Sequence, residues 1–180
     1  AGYFERWVDR VIMCVMDILF AFPSILLAIF ISAVLGKGIG PTMVAIGIVN
    51  IPVFCRTVRA AVISAKGLEY VQNARSVGVK TWPLLVRHIS PNVVAPFTVQ
   101  ATLALSGAIL TEATLSFLGM GVVPPEASWG NILNGAQSIT VLTTCPWAWI
   151  PAGTLLVVTI CCINFIGDGL RDALDPHARV

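Results

Sequence analysis

The sequence predicts an all-α polytopic membrane protein, and three observations predict it. The chain is 57% hydrophobic and only 11% charged, where a soluble domain carries about 25% charge. Its mean hydropathy is +0.87. A soluble fold of this size could not hide so much apolar surface, because much of any small domain stays exposed. Lipid removes the conflict. Finally, the apolar runs do not alternate as the roughly ten-residue strands of a membrane barrel do, so helices are expected.

Charge-free runs mark the spans. They are Ile18–Leu35, Gly38–Cys55 and Ile89–Thr111, followed by 41 uncharged residues from Ala127 to Gly167. One helix needs about 20 residues to cross. The first part of the long run is rich in Asn, Gln, Ser, Thr, Gly and Trp and suits a structured loop. Ala148–Gly167 is apolar throughout. Allowing for helical ends, the spans fall at about 16–35, 41–62, 92–115 and 147–167. Pro23, Pro52, Pro96 and Pro151 predict kinks or helix starts within them. The start, Ala1-Gly2-Tyr3-Phe4, resembles neither an initiator nor a signal peptide, so earlier spans are expected to precede it.

Lys and Arg set the orientation. Four spans put both chain ends and residues 56–88 on one side. That side holds Arg6, Arg10, Arg56, Arg59, Lys66, Arg75, Lys80, Arg87, Arg171 and Arg179, and the other holds only Lys37. The basic side is cytoplasmic by the positive-inside rule. The 36–41 turn and the 116–146 loop then face outward.

Residues 66–91 carry the most pattern. Leu68, Val71, Ala74 and Val77 recur every three residues, near one helical face. Gly78 suits a left-handed helix end. Thr81 suits the cap of a second short helix with Pro83 in its first turn. A compact helix–turn–helix on the inner surface is expected. A plain connector needs only about 2–8 residues, so this length suggests a docking element.

Here the chain resembles a known family. The segment KGLEYVQNARSVGVKTWPLLVRHISPN resembles the "EAA" loop of ABC importer permeases. Ala74, Gly78 and Pro91 match that loop in type and spacing. Gln72 and Asn73 stand where it prefers Glu and Ala, and His88 and Ser90 replace its Ile and Leu. GYFERWVDR, DILFAFPSILLAI, the stretch from Arg87 to Leu133 and GDGLRDALDP resemble the second permease subunit of dipeptide, oligopeptide and nickel importers, across essentially all 180 residues. The resemblance implies the MetI-like helical bundle of type I importers, with four of about six spans visible, in the inner membrane of a prokaryote. It implies two cytoplasmic ATPase subunits, a homologous permease subunit and an extracytoplasmic solute-binding protein as partners, with ATP and magnesium bound by the ATPases and no cofactor in this chain. It places ATPase docking on Glu69, Gln72, Asn73, Ala74, Arg75, Ser76, Gly78, Thr81, Trp82, Leu85, Arg87, His88 and Pro91.

Other chemistry is sparse. Glu112 sits near the outer end of the third span. A lone carboxylate in lipid costs roughly 2.5–3.5 kcal/mol, so it either lines a solute path with Gln100 and Thr111 or bonds to Thr111, Thr114 or Ser116. Asp17 is expected to pair with Arg10 or another base. Asp168, Asp172 and Asp175 share a helical face but lack the converging oxygens of a metal site. Arg171 can pair with Asp175. Gly36–Gly40 lacks the phosphate-loop pattern. His88 and His177 have no catalytic neighbours in the sequence. The five cysteines show no metal or disulfide spacing and read as small buried hydrophobes. The outer loop, with Pro124, Pro125, Trp129 and Trp147, is expected to pack on helix ends or to meet the solute-binding protein. No nucleic-acid pattern is present. A channel or secondary transporter working without ATPases is the alternative, and it would call for more intramembrane charge than Glu112 alone.

Overall fold

The computed structural model describes residues 2–3 and 7–174. Among them the chain is helical, with no strand. The helices are α1 (Trp7–Ala21), α2 (Ser24–Leu35), α3 (Ile39–Lys66), α4 (Glu69–Ser76), α5 (Thr81–Leu84), a π-helical segment (Leu85–Ile89), α6 (Ser90–Phe117), α7 (Trp129–Gly135), α8 (Ile139–Thr144) and α9 (Pro146–Leu174). Among the described residues three stretches are long and apolar enough to cross a membrane: Ile39–Lys66, Thr81–Phe117 and Pro146–Ala173. A fourth forms if α1 and α2 count as one broken span. The span expected over 16–35 breaks at Phe22-Pro23, at the proline that predicted a kink or a helix start. Pro23 is the N-cap of α2, because the residue before a proline is pushed out of helical geometry. Pro52, Pro96 and Pro151 instead lie inside α3, α6 and α9.

The chain divides into two compact units. The first comprises the described residues of Ala1–Ala21, Ile51–Thr102 and Gly167–Val180. Its core is Ala65, Val71, Leu84 and Ile89, with Val62, Ala74, Leu85 and Val93 packed around it. Two ion pairs tie α1 to α3. Arg59 grips Asp9 through Nε and Nη2, at 2.7 Å for the shortest contact. Arg56 meets Asp17 at 2.7 Å and lies 4.1 Å over the Phe20 ring. Asp17 thus pairs as expected with a base, and that base is Arg56. Gly167 lets α9 approach α6 closely, since a Cβ there would stand 2.6 Å from Thr102 Oγ1.

The second unit comprises Phe22–Asn50 and Leu103–Ile166. Ala28, Ile46 and Leu115 form its core, with Ile29, Val49 and Ala108 around them. Small residues let helices approach where no hydrophobic drive separates protein from lipid. Hydroxyl and amide groups add the glue. Ser32 donates to the Met120 carbonyl at 2.6 Å, and Ser106 donates to Asn164 Oδ1 at 2.6 Å. The face of α2 opposite Ala28 and Ser32 carries Leu26, Phe30 and Val34, all more than half exposed. On α9 Leu155, Val157, Val158 and Phe165 are equally bare. Such surface belongs against lipid or another helix.

The expectation for the cysteines is corrected. Cys14, Cys161 and Cys162 are exposed, and Cys55 and Cys145 are half-buried. Cys14, Cys161 and Cys162 lie on exposed surface of α1 and α9, where a thiol behaves as a small apolar group without being enclosed. Among the described residues no three metal-ligating side chains converge. Asp168 and Asp172 are exposed on α9. Glu5, Arg6, Asp175, His177 and Arg179 lie outside the described residues, as do parts of the two terminal motifs.

Candidate functional site

The helix–turn–helix forms in the first unit. Glu69 opens α4 in its first turn and Arg75 lies in its last, each favourable to the helix dipole. Gly78 has φ +85°. Its N–H bonds the Arg75 carbonyl at 3.1 Å, and the Val79 N–H reaches back to Ala74 at 3.2 Å. Those two bonds define a complete Schellman end, which needs a residue at positive φ. The cap of α5 differs from expectation. Lys80 occupies the N-cap with extended backbone and no side-chain bond, and Thr81 is the first helical residue.

The turn is anchored by few residues. Val71 is 3% and Leu84 1% exposed, and Ala74 and Leu85 pack beside them. The other expected members of the apolar face diverge. Leu68 is the N-cap and Val77 the C-cap of α4, so both sit where the helical period ends. Val77 is 85% and Trp82 75% exposed. Glu69, Gln72, Asn73, Arg75, Ser76, Gly78, Thr81, Arg87 and Pro91 are exposed as well, and His88 is half-buried. The thirteen docking candidates therefore cluster on one surface element, of which Ala74 and Leu85 help to form the base.

The passage into α6 is unusual. Pro91 offers no N–H, and in α geometry its ring would crowd the carbonyl four residues back. The Leu85–Ile89 segment widens to a π turn, with the Ser90 N–H bonding the Leu85 carbonyl. Ser90 Oγ donates to the Val86 carbonyl at 2.8 Å. Asn92 Nδ2 donates to the His88 carbonyl at 2.9 Å and to Tyr70 Oη at 2.6 Å. Tyr70 and Asn92 were not apparent from sequence, since their link is 22 residues apart.

A second site lies in the second unit. Glu112 Oε1 accepts from Ser116 Oγ at 2.7 Å and from Ser128 Oγ at 2.8 Å. Both hydroxyls in turn accept backbone N–H groups, Ser116 from Val122 and Ser128 from Gly130. Thr111 and Thr114 instead donate to carbonyls of their own helix. Ser128 is the N-cap of α7. The carboxylate also lines a cleft of about 470 Å³ with Met43, Leu105, Ile109, Trp129 and Ile132. Of the path candidates, Glu112 lines the cleft and Thr111 does not. Gln100 belongs to the first unit, where Thr57 lies 3.4 Å away.

Apolar helices of spanning length, broken by prolines and carrying a patterned helical turn between two of them, define a polytopic membrane protein. The chain belongs to the family of binding-protein-dependent transport system inner membrane components, which it matches over residues 1–180. It is an inner-membrane protein. It is 45% identical over 99% of its length to a glutathione transport system permease protein, GsiD, of Pectobacterium atrosepticum. It is 44% identical over 99% to the dipeptide transport system permease protein DppC of Alkalihalophilus pseudofirmus, and 43% identical over 97% to a putative peptide permease protein of Brucella ovis. The chain spans 58–59% of the length of these relatives.

Proposed function

We propose that the whole protein is the transmembrane permease subunit of an ATP-driven ABC importer. Its cargo is a peptide or a related small solute such as a nickel chelate, moved by alternating access. In this reading it pairs with a homologous permease subunit, receives solute from an extracytoplasmic binding protein and is driven by two cytoplasmic ATPase subunits. Those subunits bind and hydrolyse ATP. Residues 66–91 and the C-terminus face the cytoplasm, and 116–146 faces outward.

One observation carries the reading: α4 and α5 present exposed Val77 and Trp82 among polar side chains, on a turn held from beneath by Val71 and Leu84. Burying a large apolar side chain is worth about 1.5–3 kcal/mol. A bare aromatic on a rigid polar turn is what a partner groove would take up. The names of the relatives support peptide-type cargo, and the ten-to-one distribution of basic residues supports the orientation.

The test is a crosslink. Ser76→Cys, with the five native cysteines replaced, is assembled with its co-expressed partners in membranes and treated with a bifunctional reagent. The expected product joins this chain to an ATPase subunit. An ATPase that co-purifies without crosslinking would refute docking through α4. Solute uptake driven by an ion gradient without ATP would replace the importer with a secondary transporter.

A further inference from the structure

We propose that the cleft beside Glu112 binds the free α-ammonium group of a peptide, with the peptide's apolar side chains against Met43, Leu105, Ile109, Trp129 and Ile132. The proposal rests on the permease reading and names what the path would recognise.

The carboxylate is held from one side. Both serine hydroxyls bond the same oxygen, Oε1, and no bond to Oε2 is present among the described residues. The ion pairs of the described residues are Arg56–Asp17 and Arg59–Asp9, so Glu112 has no cationic partner there. Glu112 is half-buried beside apolar walls, and a cation brought to it there would form a charge-assisted bond, about twice as strong as a neutral one. The two serines fix its direction, so an incoming cation meets a pre-organised acceptor.

The chemistry of that cation follows from the surroundings. A calcium or magnesium ion would need six or more oxygen ligands, and the described residues bring no group of metal-ligating side chains together. The remaining lining is almost wholly apolar and includes an indole. An ammonium joined directly to an apolar body meets both demands at once. A cleft of about 470 Å³ falls within the span of small-ligand sites, roughly 300–1,000 Å³. A cationic side chain from a neighbouring subunit would satisfy the carboxylate too, but it would leave the apolar walls to be covered separately.

The test uses the assembled importer with its partner subunits. Ile132→Cys, in a background without native cysteines, places a thiol on the cleft wall, where Ile132 is 45% exposed. Maleimide labelling is timed with leucyl-leucine and with N-acetyl-leucyl-leucine. Leucyl-leucine is expected to slow labelling about tenfold at a concentration where the acetylated peptide slows it less than twofold, in line with the loss of one charge-assisted bond. Glu112→Gln, which keeps an oxygen for both serines, is expected to erase the difference. Equal protection by the two peptides, or no protection by either, overturns the proposal, and so does protection that survives Glu112→Gln. Labelling that is slow without peptide and fast once the partner permease is removed overturns it in favour of a subunit contact. The acetylated control needs no substitution at Glu112, so it reads the need for the ammonium group even where that variant fails to assemble. ATP-dependent uptake by the same preparation reports separately on the permease reading.

Discussion

Substituting Gly130 by alanine isolates how α7 is seated. A Cβ at this position would lie 2.2 Å from the Ala113 carbonyl oxygen and 2.7 Å from Ser116 Cβ. Neither obstacle can swing aside, because one is helix backbone and the other a side-chain root. The α6–α7 spacing must open by about 1 Å to restore ordinary contact. Overpacking of this kind costs about 1–3 kcal/mol. The same displacement would stretch the Ser128–Glu112 bond beyond its present 2.8 Å, and a hydrogen bond to a charged group is worth about 1.5–3 kcal/mol. A combined loss of about 3 kcal/mol corresponds to a melting temperature roughly 6–12 °C lower. Gly135→Ala is the control: the same helix ends there, and its Cβ would meet nothing within 4 Å. The assay heats the detergent-purified importer and measures the fraction that remains folded by size-exclusion chromatography. Gly135→Ala should stay within about 2 °C of the parent. A Gly130→Ala protein that melts with the parent would refute the close seating. Equal losses in both variants would show that glycine as such, rather than the contact, is what matters.

Further outcomes follow from other contacts. Gly78→Ala meets no atom within 4 Å, so its cost is purely that of φ +85°, about 1–2 kcal/mol. It should lower the Ser76→Cys crosslink yield without lowering the amount of protein in the membrane, and Gly78→Asn should lower it less. Val77→Ser and Trp82→Ala should leave thermal stability within about 0.5 kcal/mol, because both side chains are bare in this chain. Each should weaken co-purification of the ATPase subunits. Arg59→Gln should destabilise α1 packing, Arg59→Lys less so, and the exchange Asp9→Arg with Arg59→Asp should recover part of the loss. Protease cleavage near residue 21 in detergent would read all three.

Much of the architecture was legible because the membrane leaves a coarse signal. Long uncharged runs located the starts of α3, α6 and α9 to within 2 residues, whereas the helices continue 6 to 11 residues past the runs at their far ends, and the glycine–proline punctuation of residues 66–91 located the helical turn. The failures occur where several residues compete for one boundary. The break at Phe22-Pro23 is not among them, since Pro23 predicted a kink or a helix start there. At residues 68–77 the three-residue spacing was right for Val71 and Ala74. It failed for Leu68 and Val77 because both are cap positions, where the chain leaves the helical cylinder. Lys80 took the cap expected of Thr81, which moved Pro83 to the third helical position. The site around Glu112 was half legible. The carboxylate stands out in an apolar run and Ser116 lies one turn on, whereas Ser128 is 16 residues away and was joined to it only by folding. Its one local signal was a serine before Trp129 in a position suited to an N-cap.

In the importer reading, the junction between α4 and α6 would let the proposed docking turn move a helix rather than flex beneath a partner. Two connections run in parallel within the first unit. One is apolar: Val71 from α4, Leu84 from α5, Ile89 from the π segment and Ala65 from α3 are all enclosed, with Val93 of α6 beside them. The other is polar: Asn92 of α6 holds Tyr70 of α4 and the His88 carbonyl together. A π turn is the point where a helix could yield, since its wider ring leaves carbonyls loosely paired. Here Ser90 takes the Val86 carbonyl and Asn92 takes that of His88, so the weak point is braced by the residues that follow it. Force applied at Val77 or Trp82 would meet these contacts on its way to Val93. In the importer reading, α4, α5 and the first turn of α6 therefore travel as one body, and the compliance of the cycle lies further along the chain.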